Sequence, residues 1–270
     1  MKYKLIATDV DGTLLNKEHK ISKENFDAIK KALDSGMLLS LCSGRTSVSL
    51  NVFAKELGIN VKGAYGIGFN GGIIYEADSL KIIHETKLDN NIALEIIRDV
   101  KAVGANVLTP VYSEADTIII DAPVEVMSEF GDEIAVKFKQ ISSFEQALTK
   151  PVYKILVRGE RSELEKVSEA MKDKGEGKFV MVYTALRILE FLPIGVNKGA
   201  ALGILANYLN ISLEEVVSVG DNYNDIELIE QAGFGVAVAN AVEPLKNVAD
   251  YITKNDNNNS AIAEVIEIIA

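Results

Sequence analysis

The stretch "LIATDVDGTLLN", residues 5–16, decides how this chain reads. A run of apolar and β-branched residues ends in Asp9, passes over Val10 to Asp11, and breaks at Gly12 and Thr13. Alternate residues of a strand share a face, so Asp9 and Asp11 can converge on one spot at the strand's carboxyl end. At ~4 Å and an effective dielectric of about 20, two such carboxylates repel by roughly 4 kcal/mol. Something positive has to offset that. On these residues alone Asp11 could also be a turn residue, since Asp-Gly is a common turn dipeptide.

Working outward, the first third of the chain alternates strand and helix signals. "YKLIAT" reads as a short buried strand, and "SKENFDAIKKALDSG" as a helix with Ser22 as N-cap and Gly36 as its stop. Phe26, Ile29 and Leu33 form its apolar face. "MLLSLCSG" is again a strand, and "TSVSLNVFAKELGI" a helix ending at Gly58. "GAYGIGFNGGIIY" predicts a third strand that turns at Asn70-Gly71-Gly72 into a hairpin. The last part resumes this rhythm with "NKGAALGILANYL", "EEVVSVGD", "NDIELIEQAG", "FGVAVA" and "NSAIAEVIEIIA". Strands joined by helices of this length predict βαβ units and a doubly wound, Rossmann-like parallel sheet. The middle has a different texture, with charged helices ("NNIALEIIRDVKAV", "RSELEKVSEAMKDKG") among strands ("ADTIIID", "VYKILVRG", "ALRILEFLP"). The expected architecture is therefore an α/β core over residues 1–82 and 193–270, with an α+β domain inserted at residues 83–192.

Bulk composition narrows the partners. With 270 residues, 48% of them hydrophobic, the chain can bury a large core. A formal net charge of −11 argues against nucleic acid or an anionic membrane as the main partner. One cysteine, Cys42, excludes an intramolecular disulfide and a cysteine-built zinc site. The opening residues turn acidic too soon for a signal peptide, and no apolar run reaches the length of a membrane span. A cytoplasmic protein is expected.

Two further strand ends carry chemistry. The second strand runs into Ser43, Gly44 and Arg45, a hydroxyl and backbone N–H groups suited to an anion. "VGDNYND" ends a strand in Gly220 and Asp221, with Asn224 and Asp225 opening a helix. Acidic residues there also suit the helix dipole without any further role. Asp9, Asp11 and Asp221 converging would be hard oxygen ligands without His or Cys, which points to Mg²⁺. Lys198, after Gly195, would be a positive partner for a phosphate.

In this order the pieces resemble the four motifs of the haloacid dehalogenase superfamily: "DVDGT", Ser43, Lys198 and "GDNYND". The insertion is similar to the type II cap of its Cof-type phosphatase branch, as are "NKGAAL" and "GDNYNDIEL". The resemblance implies that Asp9 is a nucleophile forming an aspartyl-phosphate and that Asp11 is the acid and base. It implies Mg²⁺ held by the Asp9 carboxylate, the Asp11 backbone carbonyl and Asp221. It implies phosphate oxygens met by Val10 and Gly44 N–H groups, Thr13, Ser43 and Lys198, with Asn224 close by. Asp225 would orient Lys198 rather than bind metal.

The implied function is hydrolysis of a small phosphorylated metabolite, with the cap choosing the leaving group. Two alternatives stand beside it: phosphoryl transfer to another acceptor, as in a mutase, and a non-catalytic sensor of a phosphorylated ligand. Dehalogenation has no need of Asp11 as acid and base. Cys42 reads as core, His19 and His84 as residues without a substrate role, and Arg45 as either a brace for its loop or a ligand contact. The Asn70 hairpin and the stretch around Gly195 are the expected hinges.

Overall fold

A computed structural model describes residues 2–56, 58–123 and 135–270. The chain divides into two compact units, Met1–Glu85 with Asn197–Ala270, and Thr86–Val196. In chain order the first unit opens with β1 (Leu5–Asp9), α1 (Lys23–Asp34), β2 (Leu38–Cys42), α2 (Ser47–Glu56), β3 (Ala64–Gly68), β4 (Ile73–Glu76) and β5 (Ile82–Glu85). The second unit holds α3 (Asn90–Ala102), β6 (Val107–Leu108), β7 (Val111–Glu114), β8 (Thr117–Ile120), β9 (Lys137–Gln140) and α4 (Phe144–Ala147). It continues with β10 (Lys154–Gly159), α5 (Arg161–Met171), β11 (Phe179–Ala185) and β12 (Ile188–Pro193). The chain then returns to the first unit through α6 (Lys198–Tyr208), β13 (Val216–Gly220), α7 (Ile226–Gln231), β14 (Phe234–Ala237), α8 (Glu243–Val248), β15 (Tyr251–Ile252) and α9 (Ala261–Ile269).

The first unit is built on one sheet of order β15-β14-β13-β1-β2-β3-β4-β5. Every pair from β15 to β3 is parallel, and β3, β4 and β5 form an antiparallel edge. β1 is buried along its whole length, as a central parallel strand covered on both faces must be. Leu5 and Ala7 pack with Leu202 and Leu205 of α6 on one face. On the other, Ile6 and Leu39 lie against Ile29 and Ala32 of α1. From β1 the chain winds outward to β2 and β3, whereas β13, β14 and β15 wind the other way. The reversal lies between β1 and β13, and open α/β sheets hold ligands outside the carboxyl ends of strands at such a point. Asp9 and Asp221 sit there.

Ser22 does cap α1, its side chain accepting from the Asn25 N–H. The buried stripe is shifted from the expected one. Asn25, Ile29 and Ala32 face inward, and Phe26 and Leu33 are half-buried. Asn25 is drawn in by long-range hydrogen bonds, donating to the Leu14 carbonyl and accepting from the Ala263 N–H of α9. Cys42 is core, fully buried, and burial pushes its thiol up to about 12.

The second unit has a sheet of order β11-β12-β10-β7-β8-β9, with β6 paired to β10. Its neighbours are antiparallel except β8 and β9. Ile96, Ile97 and Val100 of α3 pack with Leu164 and Val167 of α5 on Ile155, Val157, Leu189 and Phe191 of that sheet. β5 pairs with β4 in the core sheet, and Pro193 pairs with Phe179 in the other. The crossings therefore fall after Glu85 and Val196, three or four residues beyond the expected boundaries. The Asn70 hairpin lies inside the first unit, joining two strands of one sheet, and is not where the chain leaves it. Gly195, with φ of +78°, directly precedes the second crossing. Among the described residues no helix is long and apolar enough to cross a membrane.

Candidate active site

Asp9 closes β1 and is 6% exposed. Its Oδ1 accepts from Lys198 Nζ at 2.6 Å, and its buried Oδ2 has no hydrogen-bond partner among the described residues. Burial raises the Asp9 carboxyl well above its ordinary range, Lys198 opposes this, and Asp225, Asp221 and Asp11 add to the rise. Lys198 opens α6, where Asn197 caps the helix by accepting from the Ala200 N–H at 2.7 Å. It is fully buried and donates also to Asp225 Oδ1 at 2.5 Å. Burial works against its charge, but Asp225 and Asp9 more than offset it, so its proton is held more tightly than in a free lysine.

Asp9, Asp221 and Asp225 each offer one carboxylate oxygen within 4.8 Å of the others. Three carboxylates share one ammonium, which leaves the cluster negative. Burial, then Asp225, raise Asp221 to about 6. Asp225 is already committed. Its Oδ2 accepts from the N–H groups of Asp221 and Asn222 at 3.1 Å each, and its Oδ1 from Lys198. Asp221 Oδ1 accepts from the Thr13 hydroxyl at 2.8 Å. The oxygens with capacity left are thus Asp9 Oδ2 and those of Asp221, hard donors that fit a divalent cation such as Mg²⁺. An orphaned buried carboxylate oxygen beside a second carboxylate is the specific sign of that fit.

Asp11 does not join this cluster, contrary to the expected convergence of Asp9, Asp11 and Asp221. β1 ends at Asp9 and the turn begins at Val10, so the shared-face rule of a strand no longer applies to Asp11. Arg45 instead takes Asp11 in a fork, Nε to Oδ2 at 2.7 Å and a terminal nitrogen to Oδ1 at 2.7 Å. Such bidentate pairs are among the strongest protein hydrogen bonds. The Arg45 guanidinium also lies over the Phe53 ring at 4.8 Å. His19 places Nδ1 4.0 Å from Asp11 Oδ1. The two aspartates of the opening stretch therefore have separate cations of the chain's own, Lys198 for Asp9 and Arg45 for Asp11.

Other expected site residues have mixed placements. Thr13 is buried with its hydroxyl on Asp221, where it orients a carboxylate instead of being aimed at a phosphate. Ser43 is buried, its Oγ accepting from the Arg45 N–H at 3.1 Å. Val10 is buried, and its carbonyl accepts from Leu14 and Leu15 in the turn after β1. Gly44 sits beneath the Asn70 amide, whose atoms would lie 3.2 Å from a Cβ at that position. Asn224 donates to Asn70 Oδ1 at 2.9 Å. Asn70 is the site residue that sequence reasoning missed, because Asn-Gly-Gly reads first as a turn.

Gly12 approaches Asp221 so closely that a Cβ would come within 2.5 Å of Oδ2. Gly12→Ala also forces alanine into the left-handed region. The expected result is a loss of Mg²⁺-induced thermal stabilisation together with at least about tenfold lower turnover, because Asp221 is displaced. A thermal-shift titration with MgCl₂ checks it.

Comparison with known proteins agrees with this geometry. The family model of haloacid dehalogenase-like hydrolases matches residues 6–266. A 5-amino-6-(5-phospho-D-ribitylamino)uracil phosphatase of Bacillus subtilis is 29% identical, over 99% of this chain and 98% of its own. A second Bacillus subtilis phosphatase is 31% identical over 93% of this chain and 94% of its own. The crystal structure of a haloacid dehalogenase-like hydrolase from Bacteroides thetaiotaomicron superposes with a TM-score of 0.88 at 31% identity, covering 99% of this chain and all of that one. With the family matched over nearly the whole length, the chain belongs to the haloacid dehalogenase-like hydrolases and is one of their phosphatases.

Proposed function

We propose that this phosphatase is a Mg²⁺-dependent cytoplasmic enzyme that cleaves a small phosphorylated metabolite through an aspartyl-phosphate on Asp9. The observation that carries the reading is the Asp9 carboxylate, pinned through Oδ1 by Lys198, with Oδ2 buried and without a donor among the described residues. A carboxylate so fixed and desolvated is placed to attack with one oxygen while the other faces the cation. One oxygen of the Asp9 carboxylate forms a bond to phosphorus as the bond from phosphorus to the leaving oxygen breaks, and Asp11 gives that leaving oxygen a proton. Asp11 then takes a proton from water as the water oxygen bonds to phosphorus and the Asp9–phosphorus bond breaks. Free Asp9 and inorganic phosphate result.

Arg45 fixes Asp11 at the edge of the site, and Asp225 fixes Lys198 against Asp9. Lys198, Ser43, Asn224 and the Val10 and Gly44 N–H groups are the donors for phosphate oxygens. Asp9, the Asp11 backbone carbonyl and Asp221 would hold Mg²⁺, with Thr13 orienting Asp221. When bound, the ion supplies positive charge between two anions that otherwise repel. The inserted unit is assigned to the choice of leaving group. Relatives named for a phosphoribitylamino-uracil and for HMP-PP support a small polar substrate.

The test is a phosphate-release screen over phosphorylated metabolites and a generic aryl phosphate, with Mg²⁺ and after EDTA. Release is expected only with Mg²⁺, and readdition of MgCl₂ is expected to restore it. Accumulation of an isomeric phosphate without free phosphate would establish a mutase instead. Activity untouched by EDTA would rule out the metal.

A further inference from the structure

Phe69 and Asn70 both adopt the left-handed conformation, with φ of +52° and +56°, and Gly71 follows at +108°. Consecutive non-glycine residues in that region are uncommon and persist only where the surroundings hold them. Three neighbours hold these. The Phe69 N–H donates to the Arg45 carbonyl at 2.9 Å, and the Asn70 N–H to the Ser43 carbonyl at 3.0 Å. Gly71 lies against the backbone of Asn197, so close that a Cβ would meet the Asn197 carbonyl at 2.4 Å. The Asn70 side chain, on a residue 2% exposed, lies over Gly44 and accepts from Asn224. One turn thus touches the loop after β2, the residue before Lys198, and the loop after β13. Those are the three segments that surround the end of β1 and supply the phosphate donors.

We propose that Asn70 is a positioning residue that fixes the Asn224 carboxamide for phosphate. The inference rests on the phosphatase reading and adds to it a residue outside the motifs that carry that reading. Asn224 sits in a short 3₁₀ turn, Tyr223–Asp225, and is only half-buried, so its own backbone leaves the amide free to rotate. Its bond to Asn70 removes that rotation before phosphate arrives. Asn70 accepts one amide hydrogen of Asn224, and the second is left at a fixed angle. The left-handed backbone sets the direction of the Asn70 side chain. Asparagine is the residue type that tolerates this conformation and also carries an amide.

A double-mutant cycle on affinity for inorganic phosphate tests this, by calorimetry on the full chain in Mg²⁺ buffer. Asn70→Gly keeps the left-handed backbone and deletes the amide, and Asn224→Ala deletes its partner. Each single variant is expected to weaken phosphate binding about tenfold. The double variant is expected to bind no more weakly than Asn224→Ala alone. The melting temperature of Asn70→Gly is expected to stay near that of the wild type. Undiminished phosphate affinity in either single variant, losses that multiply independently, or a chain that no longer folds with Asn70→Gly would each overturn the proposal. Hydrolysis of an aryl phosphate by the wild type is scored separately. Its absence counts against the phosphatase reading whether or not the two asparagines are coupled.

Discussion

Asp9→Asn is expected to abolish phosphate release while leaving the chain folded. Loss of the nucleophile should lower turnover of an aryl phosphate by at least about 10⁴-fold, since no other carboxylate occupies its place. The fold should not suffer, for a reason visible in the same electrostatics. Burial raises the Asp9 carboxyl, so the folded chain holds its proton more tightly than the unfolded chain does. An acid raised in this way favours the native state at low pH. It loses that contribution as pH climbs past the unfolded value of about 4. At neutral pH the ionised Asp9 is therefore a burden on the metal-free protein, and asparagine removes it. In EDTA the variant is expected to melt no lower than the wild type at pH 7.5. Its relative advantage should shrink as the pH is lowered toward 4. A thermal melt at the two pH values, beside the release assay, checks both parts.

Lys198→Met is expected to cost both activity and stability. Lys198 is fully buried between Asp9 and Asp225, and removing it leaves those carboxylates without their paired cation among the described residues. Breaking a buried pair from one side costs about 3–5 kcal/mol. For a chain of this size that is a fall of roughly 10 °C in melting temperature. Because the lysine is held protonated, its contribution is complete at every pH below its ordinary value. The deficit should therefore be largest near neutral pH and should narrow in acid, as the stranded carboxylates take up protons. Turnover should fall about 10²–10³-fold, the usual effect of losing one donor to a developing anionic charge. Melts across pH 5–8 and steady-state kinetics on one aryl phosphate separate the two effects.

Much of the fold could be read locally because its signals are local. The run ending at Asp9, the Ser22 cap and the breaks at Gly36 and Gly58 each act within one element. The order of four motifs, at strand ends and a helix start, then gave the expectation that Asp9, Ser43, Lys198 and Asp221 meet at one site. What escaped depends on contacts between residues far apart in the chain. The Arg45 fork on Asp11 spans 34 positions, and the bond between Asn224 and Asn70 spans 154. Neither leaves a periodicity to detect, and Asn70 carries a turn signal strong enough to hide its second role. Asp11 falls outside the strand alternation because β1 ends at Asp9 and the turn begins at Val10. α8 and β15 are six and two residues long, too short to show a helical or alternating pattern. The unit boundaries shifted because the sheet partners of β5 and β12, not their composition, decide which unit each joins.

The most direct measurement is chemical quenching during turnover. The wild-type chain is mixed with an aryl phosphate and Mg²⁺, quenched in acid within the first turnovers, digested, and its peptides weighed. Phosphorylation is expected on the peptide containing Asp9, released by hydroxylamine as an acyl phosphate is, and absent from the Asp9→Asn chain. Phosphate release in the same quenched samples with no phosphorylated peptide, or with the phosphoryl group on another residue, would contradict the assignment of Asp9 as the nucleophile.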